Sequence, residues 1–129
     1  MTEVKQTSKI IHKELSYKVV GCLYKVYNAL GPGHKEEIYH KALSIEFTKN
    51  SISFESKKKL PMNYEGQKVG TYEPDFMIED KVIVELKSVL MMPKVFEKQL
   101  YYYLRASGVK VGYLVNFGSD KIDIRRRLL

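Results

Sequence analysis

From position 10 to position 30 the apolar residues Ile11, Leu15, Val19, Leu23, Val26 and Leu30 recur at three- and four-residue steps. That is the period of a helix with one buried face. Gly31-Pro32-Gly33 stops it, because proline removes a backbone donor and the glycines permit turn dihedrals. A second helix is predicted over residues 35–49. Glu36 and Glu37 fall in its first turn, where the helix dipole favours negative charge. Ile38, Ala42 and Ile45 make its apolar stripe, with Tyr39, Leu43 and Phe47 widening it.

Beyond Asn50 the pattern changes to short extended segments. Residues 52–60 read as a strand ending at Pro61, Glu65-Gly66 as a turn, and 67–72 as a more exposed returning strand. Residues 74–78 and 81–89 form the two arms of a hairpin around Glu79-Asp80. Val82-Ile83-Val84 is β-branched throughout and suits a strand buried on both faces. Pro93 fits the first position of a helix running to Ser107 and closed by Gly108. An apolar strand follows over 109–117, and 121–129 alternates Ile122 and Ile124 with charged residues as an edge strand does. This order predicts a mixed α/β or α+β sandwich, one domain over residues 1–129.

With 129 residues the chain can bury one core. No apolar run is long enough to span a membrane. Lys5, Lys9 and Lys13 precede no signal-peptide core. Cys22 stands alone, which removes internal disulfides and zinc clusters and leaves the reducing cytoplasm as the expected location. Twenty-two Lys and Arg against 15 Asp and Glu give a net charge of +7. That balance favours polyanionic partners, nucleic acid before an anionic membrane surface. Charge gains meaning only beside a site.

The site candidate is the stretch from Glu73 to Lys87. Side chains alternate along a strand, so Ile83, Glu85 and Lys87 share one face and Val84 and Leu86 take the other. An acid and a base thus leave a strand otherwise apolar enough to be central, which is costly unless they are paired or bind metal. A three-residue turn, Glu79-Asp80-Lys81, would set Asp75 across from Glu85 with Cβ atoms about 5 Å apart. A two-residue turn would face Asp75 with Val84, on the wrong side; the odd turn is therefore predicted. Two adjacent carboxylates repel unless protonated or bridged by a cation, and hard oxygen ligands suit Mg²⁺ or Mn²⁺. Such a cation polarises a phosphodiester and activates water. Lys87 could position that water or neutralise developing charge. The alternative is an ordinary ion pair on a solvated sheet face.

Pro74-Asp75, nine intervening residues and Glu85-Leu86-Lys87 resemble the PD-(D/E)XK nuclease superfamily. Gly33, Glu36 and Tyr39 match the GxxExxY signature of a small prokaryotic family within it. The resemblance implies a mixed four-stranded central sheet flanked by helices, and Mg²⁺-dependent hydrolysis of DNA or RNA with Mn²⁺ as a substitute. Asp75 and Glu85 become metal ligands, the Leu86 carbonyl a third, and Lys87 the catalytic lysine. Glu36 becomes an additional acidic ligand, although a glutamate held by the helix dipole alone reads equally well. Gln99 and Tyr103, four apart on one helical face, resemble the QxxxY element of the exonuclease-like branch; simple packing of the Tyr101-Tyr102-Tyr103 run competes with that. Some of those exonucleases hold an iron–sulfur cluster on four cysteines, which this chain with one cannot do.

His12, His34 and His40 read as surface or cap residues. Arg125, Arg126 and Arg127 read as a phosphate contact or a solvated tail. Two rivals are a non-catalytic nucleic-acid-binding module and a protein-interaction module that keep the nuclease fold. Neither needs a costly carboxylate pair. A homodimer stays open.

Overall fold

The structure, a computed structural model, describes residues 11–129. Ile10, Lys5 and Lys9 lie outside the described residues. Helix α1 (Lys13–Leu30) buries Val19, Cys22, Leu23 and Val26. Gly31 and Gly33, with φ of 75° and 87°, then turn the chain in a conformation that side chains resist. Helix α2 (Glu36–Lys49) follows and buries Tyr39, Leu43, Glu46 and Phe47.

The core face of α2 differs from the predicted stripe. Ile38 and Ile45 are 43% and 64% exposed. The aromatic residues take the inner face instead. The Tyr39 ring stacks on Phe117 at 4.2 Å, its hydroxyl donates to the Gly31 carbonyl at 2.6 Å, and Phe47 meets Phe76 edge-on at 5.1 Å. Large rings bury more area than Ile38 and Ile45 could, and that sets the rotation of the helix.

The strands are β1 (Phe54–Ser56), β2 (Leu60–Tyr64), β3 (Gln67–Tyr72), β4 (Phe76–Ile78), β5 (Val82–Lys87), β6 (Val111–Asn116) and β7 (Asp123–Leu128), with helix α3 (Val95–Ser107) between β5 and β6. The main sheet runs β1-β4-β5-β6-β7. Among the described residues only β5 and β6 are parallel, joined by the crossover through α3; the other pairs of this sheet are antiparallel. Five strands stand among the described residues where four were expected, with β1 at one edge and β7 at the other.

The predicted 52–60 strand is in fact broken. Lys57 takes a left-handed φ of 53°, β1 ends before it, and a new strand starts at Leu60. Pro61 lies inside β2, opposite Thr71, rather than ending a strand. It is tolerated because β2 and β3 form a two-stranded ladder of their own, where one side of each strand is an open edge. Helices α1 and α2 cover one face of the main sheet and meet Val82, Val84 and Leu86; α3 and the small ladder cover the other and meet Ile83. Among the described residues no helix is long and apolar enough to cross a membrane.

Candidate metal centre

The β4–β5 register pairs Phe76 with Val84, Met77 with Ile83 and Ile78 with Val82. The connection is therefore the three-residue turn Glu79-Asp80-Lys81. Glu79 and Asp80 reverse the chain with φ of 50° and 57°, and the Lys81 amide donates to the Ile78 carbonyl at 2.9 Å. Extending the same register by one residue sets Asp75 against Glu85. The ladder itself has ended there, and side chains complete it. The Asp75 amide donates to Glu85 Oε1 at 2.8 Å, and the Leu86 amide donates to Asp75 Oδ2 at 2.8 Å.

Pro74 matters in this arrangement. The N–H and C=O of one strand residue point to the same side, so the Leu86 carbonyl shares the side on which its amide reaches Asp75. In the β4 register the residue facing it is Pro74, which has no N–H with which to occupy that carbonyl.

Burial and the neighbouring Asp75 charge push the Glu85 carboxyl up to about 7, against the pull of the Asp75 amide and Lys87. The pair thus lacks positive charge of its own. Lys87 does not close the gap by ion pairing: its Nζ lies over the Phe96 ring, 4.6 Å from the centroid. Glu36, at the start of α2, feels both Lys87 and Asp75, and burial raises its carboxyl above the ordinary range. It lines a cleft of about 490 Å³ with His40, Ser56, Lys57 and Asp75. A wider hollow of about 690 Å³ lies against Tyr24, Leu90 and residues 118–124, and holds neither Asp75 nor Glu85.

Among the described residues no three His, Cys, Asp or Glu side chains form a cation cage. The donor set nevertheless fits a hard divalent cation that keeps part of its water. Asp75 Oδ1, the second Glu85 oxygen and the Leu86 carbonyl are the groups that could hold it, with Glu36 farther along the cleft.

Two residues at this site were not read from the sequence. His40, taken for a surface or cap residue, stacks on Phe76 at 4.2 Å, reaches Ser56 Oγ from Nε2 at 3.1 Å and has Nδ1 4.0 Å from Asp75 Oδ1. Burial lowers its pKa, opposed by Asp75. Its position four residues after Glu36, on one helical face, is the signal that could have found it. Tyr72 is buried beside Glu85, and burial first, then Glu85, raises its pKa. Only the register of β3 could have placed it. Of the pair on α3, Tyr103 stacks on Tyr72 at 3.8 Å. Gln99 is exposed, and no described residue hydrogen-bonds its side chain.

The segment after Lys87 is clamped. Asn116, 1% exposed, accepts the Val89 amide at 3.0 Å and donates to the Val89 carbonyl at 2.9 Å. Gly118 packs so closely here that a Cβ would lie 2.3 Å from the Val89 nitrogen. The three terminal arginines are not a solvated tail. They lie on β7, where Arg125 and Arg127 both bind Glu97 on α3, Arg125 also binds Asp123, and Arg126 donates to the Ile11 carbonyl at 3.2 Å.

A family model of the PD-(D/E)XK nuclease superfamily matches residues 13–127. Comparison with curated proteins finds no match. Among solved structures, the crystal structure of SSO0001 superposes with a TM-score of 0.53 at 20% identity, covering 94% of this chain and 60% of that one. At that identity the likeness is one of fold, and this chain spans about 60% of the length of the protein it resembles.

Proposed function

Given that the chain belongs to the PD-(D/E)XK nuclease superfamily, we propose that it is a Mg²⁺-dependent nuclease of the GxxExxY branch. It acts in the cytoplasm as a single domain on DNA or RNA. The observation that carries this is the reciprocal tie between Asp75 and Glu85, which gathers two carboxylates at one strand end beside Lys87. An ordinary ion pair would set opposite charges there, not like ones.

When bound, a divalent cation polarises a phosphodiester oxygen and lowers the pKa of a coordinated water. Asp75, Glu85 and the Leu86 carbonyl would hold it. Lys87, whose Nζ lies over the Phe96 ring, brings a positive charge to the phosphate and offsets negative charge that grows at phosphorus. Glu36, which lines the same cleft as Asp75, adds an acceptor there. The net charge of +7 draws the polyanion in.

The test is hydrolysis of single- and double-stranded DNA and RNA with Mg²⁺ or Mn²⁺, and its loss in EDTA. Lys87→Ala is expected to lose about 10²-fold or more in rate with cation binding intact, and Asp75→Ala to lose both. Full activity in Asp75→Ala would overturn the reading.

A further inference from the structure

Tyr72 ends β3 with 7% of its surface exposed, and its hydroxyl is shut off from water and makes no hydrogen bond of ordinary geometry to any described residue. Glu85 leaves β5 on the same face as Ile83, which shares a buried cluster with Tyr72, so its carboxylate lies on the Tyr72 side of the strand and is the acceptor that the hydroxyl approaches. Tyr72 belongs to a buried apolar cluster with Met77, Ile83, Met92, Leu100 and Leu104, a setting in which phenylalanine would pack as well. An unpartnered buried hydroxyl is unfavourable, so packing alone does not call for tyrosine here.

Glu85 has the complementary need. Its Oε1 is held by the Asp75 amide, yet the last torsion of a glutamate is broad and weakly restrained. A second donor on a fixed ring would restrain it. The Tyr72 ring is so fixed, by the 3.8 Å stack on Tyr103 from α3.

We infer that Tyr72 is a positioning residue: its hydroxyl donates to the Glu85 carboxylate and sets the orientation in which that carboxylate meets a cation, with Tyr103 holding the ring. The inference rests on the proposed function, which gives Glu85 a cation to meet. It also assigns Tyr103 an indirect part, acting through Tyr72 rather than on substrate.

The experiment measures Mn²⁺ affinity by electron paramagnetic resonance and the metal-free melting temperature. Wild type, Tyr72→Phe, Glu85→Gln, the double variant and Tyr103→Leu are compared. Tyr72→Phe is expected to weaken Mn²⁺ binding about 10-fold, the range seen when a group orienting a metal ligand is removed. Its metal-free melting temperature stays level or rises. In the Glu85→Gln background the same substitution changes affinity less than about twofold, because the two act as one unit. Tyr103→Leu, which keeps the hydroxyl and loses the stack, weakens binding in the same direction. Wild-type affinity in Tyr72→Phe, or an equal loss with and without Glu85, overturns the inference and leaves the nuclease reading standing. No Mn²⁺ binding by the wild type overturns both.

Discussion

The Asp75 amide donates to Glu85 Oε1 at 2.8 Å, so the backbone of one acidic residue holds the side chain of the other. The tie restrains Glu85 without neutralising either charge. Two carboxylates are thereby kept together in the metal-free protein at a cost that grows as both ionise.

That cost gives a pH dependence. Burial and Asp75 hold the Glu85 proton to about pH 7 in the folded chain, against an ordinary value of 4.5. Between those values Glu85 binds its proton more tightly in the folded state than in the unfolded one, so its contribution to metal-free stability is greatest below the lower value and falls as pH rises toward 7. At about 1.4 kcal/mol per pH unit the fall is roughly 3 kcal/mol. Glu85→Gln is expected to flatten that part of the curve and to be the more stable protein at pH 8. Urea denaturation at several pH values in EDTA measures it, and parallel curves for the two proteins would contradict the account.

Pro74→Ala places an N–H opposite the Leu86 carbonyl. The new hydrogen bond, worth about 1 kcal/mol, roughly offsets the added freedom of the unfolded chain, so the melting temperature should hardly move. Mn²⁺ affinity should fall several-fold, because the carbonyl is now occupied. Calorimetric titration of both proteins decides it; unchanged affinity would remove Leu86 from the ligand set.

Glu97 holds Arg125 and Arg127 with its side chain 13% exposed. Glu97→Ala leaves both guanidinium groups without that partner. The expected loss is about 2 kcal/mol, between the values for exposed and buried pairs. Since these arginines serve the fold, replacing Arg125 and Arg127 by Gln should lower the melting temperature while the salt slope of nucleic-acid binding stays nearly constant. A slope flattened by about two would mean that they contact phosphate after all.

Gly118→Ala drives a methyl group against the Val89 backbone, 2.3 Å from its nitrogen. Backbone cannot move aside as a flexible side chain can, so about 3 kcal/mol of stability is expected to go. The loss should be readable in chemical denaturation. A loss under 1 kcal/mol would show that residues 88 and 89 are free to shift.

How far the sequence spoke depends on the element. Strand β5 was legible because Val82, Val84 and Leu86 on one face and Ile83 on the other are apolar. The turn length followed from requiring Asp75 to face Glu85. The orientation of α2 was not legible, since Ile38 and Tyr39 are adjacent and both apolar; the choice was made by rings on other elements, Phe76 and Phe117. The break at Lys57 left no mark, because a left-handed lysine looks like any other in sequence. His40 was marked only by its place one helical turn after Glu36, and Tyr72 by nothing local, because their partners are 35 and 13 residues away along the chain.

Among the described residues the β2–β3 ladder pairs with no strand of the main sheet and is held to the fold through side chains such as Leu60, Met62 and Tyr72, and a two-stranded ladder depends on such packing for its stability. Local opening of this hairpin therefore takes less free energy than global unfolding, and its amides should exchange with solvent before those of β5 and β6. Tyr72 travels with it. Each such opening would lift the ring off Tyr103 and admit water to Glu85, so that side of the cleft would have the lifetime of a hairpin, while the Asp75 side would have the lifetime of the sheet.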